Sequence, residues 1–279
     1  MIVLMSCNDR PGIVSILSDI VFRNKGNILD LQQHVEIEEN RYFMRLSIDN
    51  STLTNDSKNK IKEEINNSFI DFDAKISFFD EITPISIGVF VTKESLPLYD
   101  ILIKHNSGEL NCNIPIIISN HEDLKYIADN FNIPFAHFSI DADSKFDQEK
   151  KIIKILKDYK VDLVVLARYM QILTSNFVKN FTSINIHHSF LPAFKGKNPY
   201  KQAWDKGVKI IGATAHYVTE ELDEGPIISQ DVFPVNHNFS VKKLIEVGQN
   251  IERRVLTSAL KSHLEHKIII YKGRTIVFY

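Results

Sequence analysis

Residues 148–167 read QEKKIIKILKDYKVDLVVLA. In the first half, Ile152, Ile153, Ile155 and Leu156 recur among charged residues, which predicts a helix over about Gln148–Tyr159 with one apolar face. In the second half, Asp162–Ala167 is a short, nearly unbroken apolar run, as a strand covered on both faces requires. A helix that leads into a fully buried strand is half of a βαβ unit. The same signature recurs on either side. Ile85–Val91, Ile114–Ser119 and Phe135–Ser139 read as buried strands with helices between them, and Thr182–His187 reads as another. From Gly207 on, Ile210–Val218 and Ile227–Val235 are predicted strands and Val241–Leu264 a long helix. Lys267–Tyr271 and Thr275–Phe278 predict a closing hairpin around Lys272-Gly273-Arg274. The pattern is that of an α/β unit on a doubly wound, mostly parallel sheet. Ligands bind such sheets beyond the carboxyl ends of the strands, so residues just after each strand carry the functional search.

A different rhythm precedes this unit. Ile2–Cys7 has strand length, and Asp9-Arg10-Pro11-Gly12 brings a proline close to a helix start, where its missing N–H costs little. Ile13, Val14, Leu17, Ile20 and Val21 follow at helical spacing, and Gly26 stops the helix. Asn27–Ile37 and Tyr42–Ile48 read as strands joined by a turn at Glu38-Glu39-Asn40. Ile61, Ile65 and Phe69 mark a second helix, and Phe72–Phe79 a last strand. The boundary near Glu81-Ile82-Thr83-Pro84 separates this acidic βαββαβ segment, residues 1–81, from a nearly neutral one, residues 84–279. The run Ser6–Val14, with Gly26-Asn27-Ile28 and Tyr42-Phe43-Met44-Arg45, resembles an ACT domain. That resemblance implies a ferredoxin-like unit that binds small ligands, often amino acids, across paired copies. It makes Asp9, Arg10, Pro11, Gly12 and Ile13 candidate contacts for an amino-acid effector and implies a homo-oligomer. Read by itself, the same turn is a helix start that packs.

Composition narrows the classes. With 279 residues, two domains are expected rather than one. The 44% hydrophobic and 24% charged fractions are those of folded globular protein. A net charge of −2 gives no case for nucleic acid as a partner. The two cysteines, Cys7 and Cys112, provide neither a disulfide framework nor a Cys-rich zinc site. MIVLMSC is too short for a secretory signal, and no run approaches the roughly 20 apolar residues of a membrane span. A cytoplasmic protein without membrane contact is expected.

The chemistry concentrates in two places. Asn185 and His187 alternate to one side of the strand that ends before His188-Ser189-Phe190-Leu191-Pro192. An amide and an imidazole so placed can donate to a carbonyl oxygen that gains negative charge. Later in the chain, Thr219-Glu220-Glu221-Leu222-Asp223-Glu224-Gly225-Pro226 forms an acidic loop whose carboxylate can hold a histidine or pass a proton to water. Each residue also has a plain structural reading: Asn185 as a strand end, His187 as a satisfied half-buried ring, Asp223 as a turn former beside Gly-Pro. A metal site of His187, His188 and His216 is disfavoured, because neighbours on a strand point to opposite faces.

The runs Asn185–Gly196, Gly212–Thr219 and Leu222–Ile228, with Leu166–Leu173 and Ser119-Asn120-His121, resemble the formyltransferase fold of 10-formyltetrahydrofolate enzymes, a Rossmann-like fold. The doublet His187-His188 with Ala193-Phe194, and the ACT-like segment in front, resemble the deformylases of that superfamily. The resemblance covers essentially the whole chain. It implies hydrolysis of 10-formyltetrahydrofolate to formate and tetrahydrofolate, with Asn185, His187 and Asp223 as the catalytic trio. It implies that the folate lies along Met170, Gln171, Ile172 and Leu173 and along His216, Val218 and Thr219, largely on backbone groups. No metal and no cofactor are expected, since the folate is itself the substrate. Phe190, Phe194 and Tyr200 are candidate walls of the formyl site and are equally ordinary packing residues. The role implied is supply of formate for purine synthesis and balance of one-carbon pools.

Two departures stand out. Leu96 and Pro97 occupy positions where deformylases usually carry His and Cys. The run Val91–Leu98 that holds them also lacks a phosphate cradle, which counts against a ribonucleotide acceptor. Lys197 stands where a small residue is common. A formyl transferase to an amine, and a binding protein without turnover, remain the alternatives to the hydrolase.

Overall fold

The first 80 residues and those that follow build different sheets, the first wholly antiparallel and the second mostly parallel. The structure is a computed structural model that describes residues 1–51, 53–80, 83–139, 145–193 and 198–279. The chain divides into two units, with the break between Thr83 and Pro84. Glu81 and Ile82, where the sequence boundary begins, lie outside the described residues.

The N-terminal unit contains β1 (Ile2–Asn8), α1 (Ile13–Arg23), β2 (Ile28–Glu36), β3 (Arg41–Ile48), α2 (Asn55–Ser68) and β4 (Lys75–Phe79). The strands form an antiparallel sheet in the order β2-β3-β1-β4. Ile13, Leu17, Ile20 and Val21 of α1, with Ile61 and Ile65 of α2, close over Met1, Val3, Met5 and Met44. The last strand is shorter than its alternation predicts, because residues 70–72 turn as a short 3-10 helix.

The second unit contains β5 (Ile85–Val91), α3 (Ser95–Asn106), β6 (Cys112–Ser119), α4 (Lys125–Asn130), β7 (Phe135–His137), α5 (Lys145–Asp158) and β8 (Leu163–Leu166). It continues with α6 (Ser175–Asn180), β9 (Ser183–His187), α7 (Pro199–Asp205), β10 (Ile210–Tyr217), β11 (Ile227–Pro234) and α8 (Val241–Leu264). The seven strands run β11-β10-β9-β8-β5-β6-β7. Those from β9 to β7 are parallel, while β10 runs antiparallel to both its neighbours, β9 and β11. As the sequence predicts, Ile152, Ile153 and Leu156 of α5 are buried, and all four residues of β8 are buried. The chain leaves β5 towards β6 and β7, then returns to β5's other side as β8. The crevice at that reversal, beyond the carboxyl ends of β5 and β8, is where a doubly wound sheet opens for a ligand.

The chain ends in a hairpin of β12 (Ile268–Tyr271) and β13 (Arg274–Val277). The sequence assigns everything from residue 84 onward to one domain. In the structure, Glu265–Tyr271 and Ile276–Tyr279 instead group with the N-terminal unit. The reason is apolar: Ile269, Tyr271, Ile276 and Phe278 cover Ile2, Leu4 and Phe43 on the sheet face that the helices leave open. Arg45 fastens the segment by donating to the carbonyls of Glu265 and His266. No helix among the described residues is long and apolar enough to cross a membrane.

Candidate active site

Asn185 and His187 belong to β9, and the antiparallel neighbour β10 pairs His216 opposite Asn185 and Thr214 opposite His187. This register brings a second imidazole to the amide. Asn185 Nδ2 lies 3.3 Å from His216 Nε2. His216 Nδ1 lies 2.8 Å from the Tyr217 carbonyl. A carbonyl only accepts, so Nδ1 carries a proton, and Nε2 of the neutral ring accepts from Asn185. One amide N–H is thereby fixed and the other is left for a ligand.

The loop between β10 and β11 brings the carboxylate back. The ladder shifts register between Ala215 and His216, which bends the strand. Gly225 then presses against Tyr217, where a Cβ would sit 1.7 Å from the carbonyl oxygen, so only glycine fits. Asp223 adopts a left-handed backbone, φ 55, a costly conformation kept where the surroundings enforce it. Its Oδ2 lies 3.2 Å from His187 Nδ1 and its Oδ1 3.6 Å from His216 Nε2. Burial opposes ionisation of Asp223, but the hydrogen bond from His187 and the His216 ring beside it outweigh it and hold the carboxyl well below its usual range. His187 Nε2 has no hydrogen-bond partner among the described residues.

The neighbouring histidine is not where the sequence argument puts it. The strand ends at His187, so alternation stops there, and the rings of His187 and His188 stack at 5.2 Å and 24°. Burial first, then Arg168 and His187, push the His188 imidazole down to about 3, so the ring is neutral. Among the described residues no group of three His, Cys, Asp or Glu side chains is arranged to hold a metal ion.

These groups line a cleft of about 860 Å³. Met170, Gln171, Ile172 and Leu173 form one wall, and Val218 and Thr219 contribute beside them. Met170 and Ile172 are each 58% exposed, whereas Leu173 also packs on the core. His216, placed by resemblance along the folate, is 2% exposed and packed on the trio itself. Tyr200 lines the cleft, but Phe190 does not and lies over Gly212 of β10 instead. Phe194 and Lys197 lie outside the described residues. Leu96 and Pro97 form the first turn of α3, with Pro97 buried. In the N-terminal unit, Ile13 is a core residue. Gly12, with φ 95, precedes α1, Arg10 sits over the Phe72 ring, and the Asp9 N–H donates to Asn40.

Several residues of the site escape sequence reasoning. Thr92, just after β5, donates to Asn120 at 2.8 Å and accepts from the Met170 N–H at 3.3 Å, joining three strand ends. Thr214 accepts from the Leu191 N–H and donates to Ser189, which fixes the turn after His188. Threonines inside apolar runs carry no local signal for such bonds.

The formyl transferase family profile matches residues 85–260. The formyltetrahydrofolate deformylase of Synechocystis sp. is 45% identical over 99% of this chain and 97% of its own. A crystal structure of a formyltetrahydrofolate deformylase from Pseudomonas syringae superposes with TM-score 0.93 at 37% identity, covering 100% of this chain and 94% of that one. A glycinamide ribonucleotide transformylase from Symbiobacterium toebii, TM-score 0.67 and 29% identical, covers 73% of this chain and 98% of its own. Thus the chain belongs to the formyl transferase family and, within it, to the formyltetrahydrofolate deformylases.

Proposed function

We propose that the protein hydrolyses 10-formyltetrahydrofolate to formate and tetrahydrofolate, with Asn185, His187 and Asp223 acting on the formyl group. The observation that carries this reading is the single carboxylate of Asp223 facing both His187 and His216 while His216 orients the Asn185 amide. Water adds to the formyl carbon, and the carbonyl oxygen becomes an oxyanion. The free Asn185 N–H donates to that oxygen, and protonated His187 balances its charge. Asp223 orients the water and supports the imidazolium. The carbon–N10 bond then breaks, a proton reaches N10, and formate leaves, so one water is consumed per turnover.

The pterin lies along the backbone of Met170–Leu173 and beside Val218 and Thr219. The reaction takes no metal or cofactor, because the formyl amide is already activated. The enzyme works in the cytoplasm as a homo-oligomer, supplies formate to purine synthesis, and carries an amino-acid effector at Asp9–Ile13. The decisive assay incubates pure protein with 10-formyltetrahydrofolate and no acceptor. Formate and tetrahydrofolate are expected in equal amounts, and Asp223→Asn should lower turnover by at least about a hundredfold while folding survives. Product only with an added amine, or near-normal turnover by the variant, overturns the proposal.

A further inference from the structure

Behind the His187–His188 pair, a buried polar cluster remains that the proposed chemistry does not use. Glu252 of α8 lies at its centre with 1% of its side chain exposed. Its Oε1 accepts a 2.5 Å hydrogen bond from the Tyr200 hydroxyl of α7. Its Oε2 lies 3.4 Å from Nη1 of Arg168, just past the end of β8. One turn earlier in α8 stands Gly248, where a Cβ would lie 2.0 Å from the Tyr200 oxygen. The tyrosine thus fills the place of a missing side chain to reach the carboxylate.

Arg168 links this cluster to the cleft. Its backbone is left-handed, φ 63, and it begins the segment whose residues 170–173 form the cleft wall. Its guanidinium is one of the charges that keep His188 neutral, and His188 stacks on His187. A permanent cation in such low-dielectric surroundings opposes any positive charge gained by a neighbouring imidazole. Arg168 Nε and Nη1 and Glu252 Oε2 make no hydrogen bond among the described residues. Charge, rather than hydrogen-bond geometry, therefore dominates the pair. Burial pushes the Glu252 carboxyl up, while Arg168 and Tyr200 pull the other way.

We infer that Glu252 is a positioning residue for deformylation: its carboxylate neutralises Arg168, so that the guanidinium anchors the start of the cleft wall without opposing positive charge on His187. The inference rests on the proposed reading of His187 as the charged partner of the oxyanion.

The test measures kcat and KM for 10-formyltetrahydrofolate in the full-length chain. It compares wild type, Glu252→Gln, Arg168→Gln and the double variant, with Asp223→Asn as the inactive control and urea unfolding as the check on folding. Glu252→Gln should lower kcat at least about tenfold with KM changed less than about threefold. Arg168→Gln should lose less, and the double variant should recover most of the kcat lost in Glu252→Gln. A plain structural ion pair predicts instead that both single variants lose urea stability alike while kcat stays near wild type. Wild-type kcat in Glu252→Gln, a loss confined to KM, or a double variant as impaired as Glu252→Gln overturns the inference. Should Glu252→Gln fail to fold, the double variant must match Arg168→Gln in kcat, and a large deficit overturns the inference. A wild type that releases no formate sinks the activity reading itself, and the inference with it.

Discussion

Asp223 owes its place to a left-handed backbone, a glycine two residues on and a hairpin that folds back on β10, and each of these is local. Its meeting with His187 and His216 is not. The alternation that sets Asn185 and His187 on one side of β9 is legible in the sequence. The facing of His216 and Asn185 depends on the β9–β10 register, which no short motif encodes. A consequence for stability follows from the depressed Asp223 carboxyl. A carboxyl whose folded pKa lies below its unfolded value, 3.8 here, stabilises the fold at pH above that value. The contribution disappears as pH falls through the folded value. Wild type should therefore unfold at higher urea than Asp223→Asn across neutral and mildly acidic pH. The gap should narrow only below about pH 4. A gap that is already absent at pH 6 contradicts the assigned contacts.

At the scale of elements, periodicity reveals long helices and buried strands and misses what polar sequence hides. The α5 stripe and all of α8 are plain in the sequence. By contrast, α2 begins at Asn55, well before its first apolar residue, because the Thr54 hydroxyl caps it by accepting from the Ser57 N–H. In α8, Gly248 looks like a weak point of the helix and is instead the seat of Tyr200. Gly248→Ala should gain about 1 kcal/mol of helix propensity. It should also displace the Tyr200 hydroxyl and strip Glu252 of a charge-assisted bond, a loss of about 1.5–3 kcal/mol. The second effect wins, so chemical denaturation should find the variant about 0.5–2 kcal/mol less stable. A gain in stability would mean that Tyr200 gives way freely.

At the scale of the whole molecule, the chain divides between a four-stranded unit and a seven-stranded one. The trio, its supporting histidine and Glu252 all belong to the second unit. The proposed hydrolysis takes no metal, so turnover should survive exhaustive dialysis against a chelator. Lost activity restored by a divalent ion counts against metal-free hydrolysis. The ACT-like unit is expected to pair, and gel filtration with light scattering should give a mass at least twice that of the chain. A monomer at micromolar concentration, with or without added amino acids, removes the oligomer from the proposal.

Fold class, a division near residue 84 and the placing of Asn185 and His187 on one side of their strand are readable along the chain, because periodicity and strand alternation are properties of near neighbours. The return of the C-terminal strands to the first sheet depends on contacts across more than 200 residues, such as Phe278 against Ile2. The stacking of His188 on His187, the His216 bridge and the pairing of Glu252 with Arg168 likewise required the tertiary structure. Charge and hydrogen bonding act through space, and the sequence records only which groups exist, not which ones the fold brings within a few ångströms.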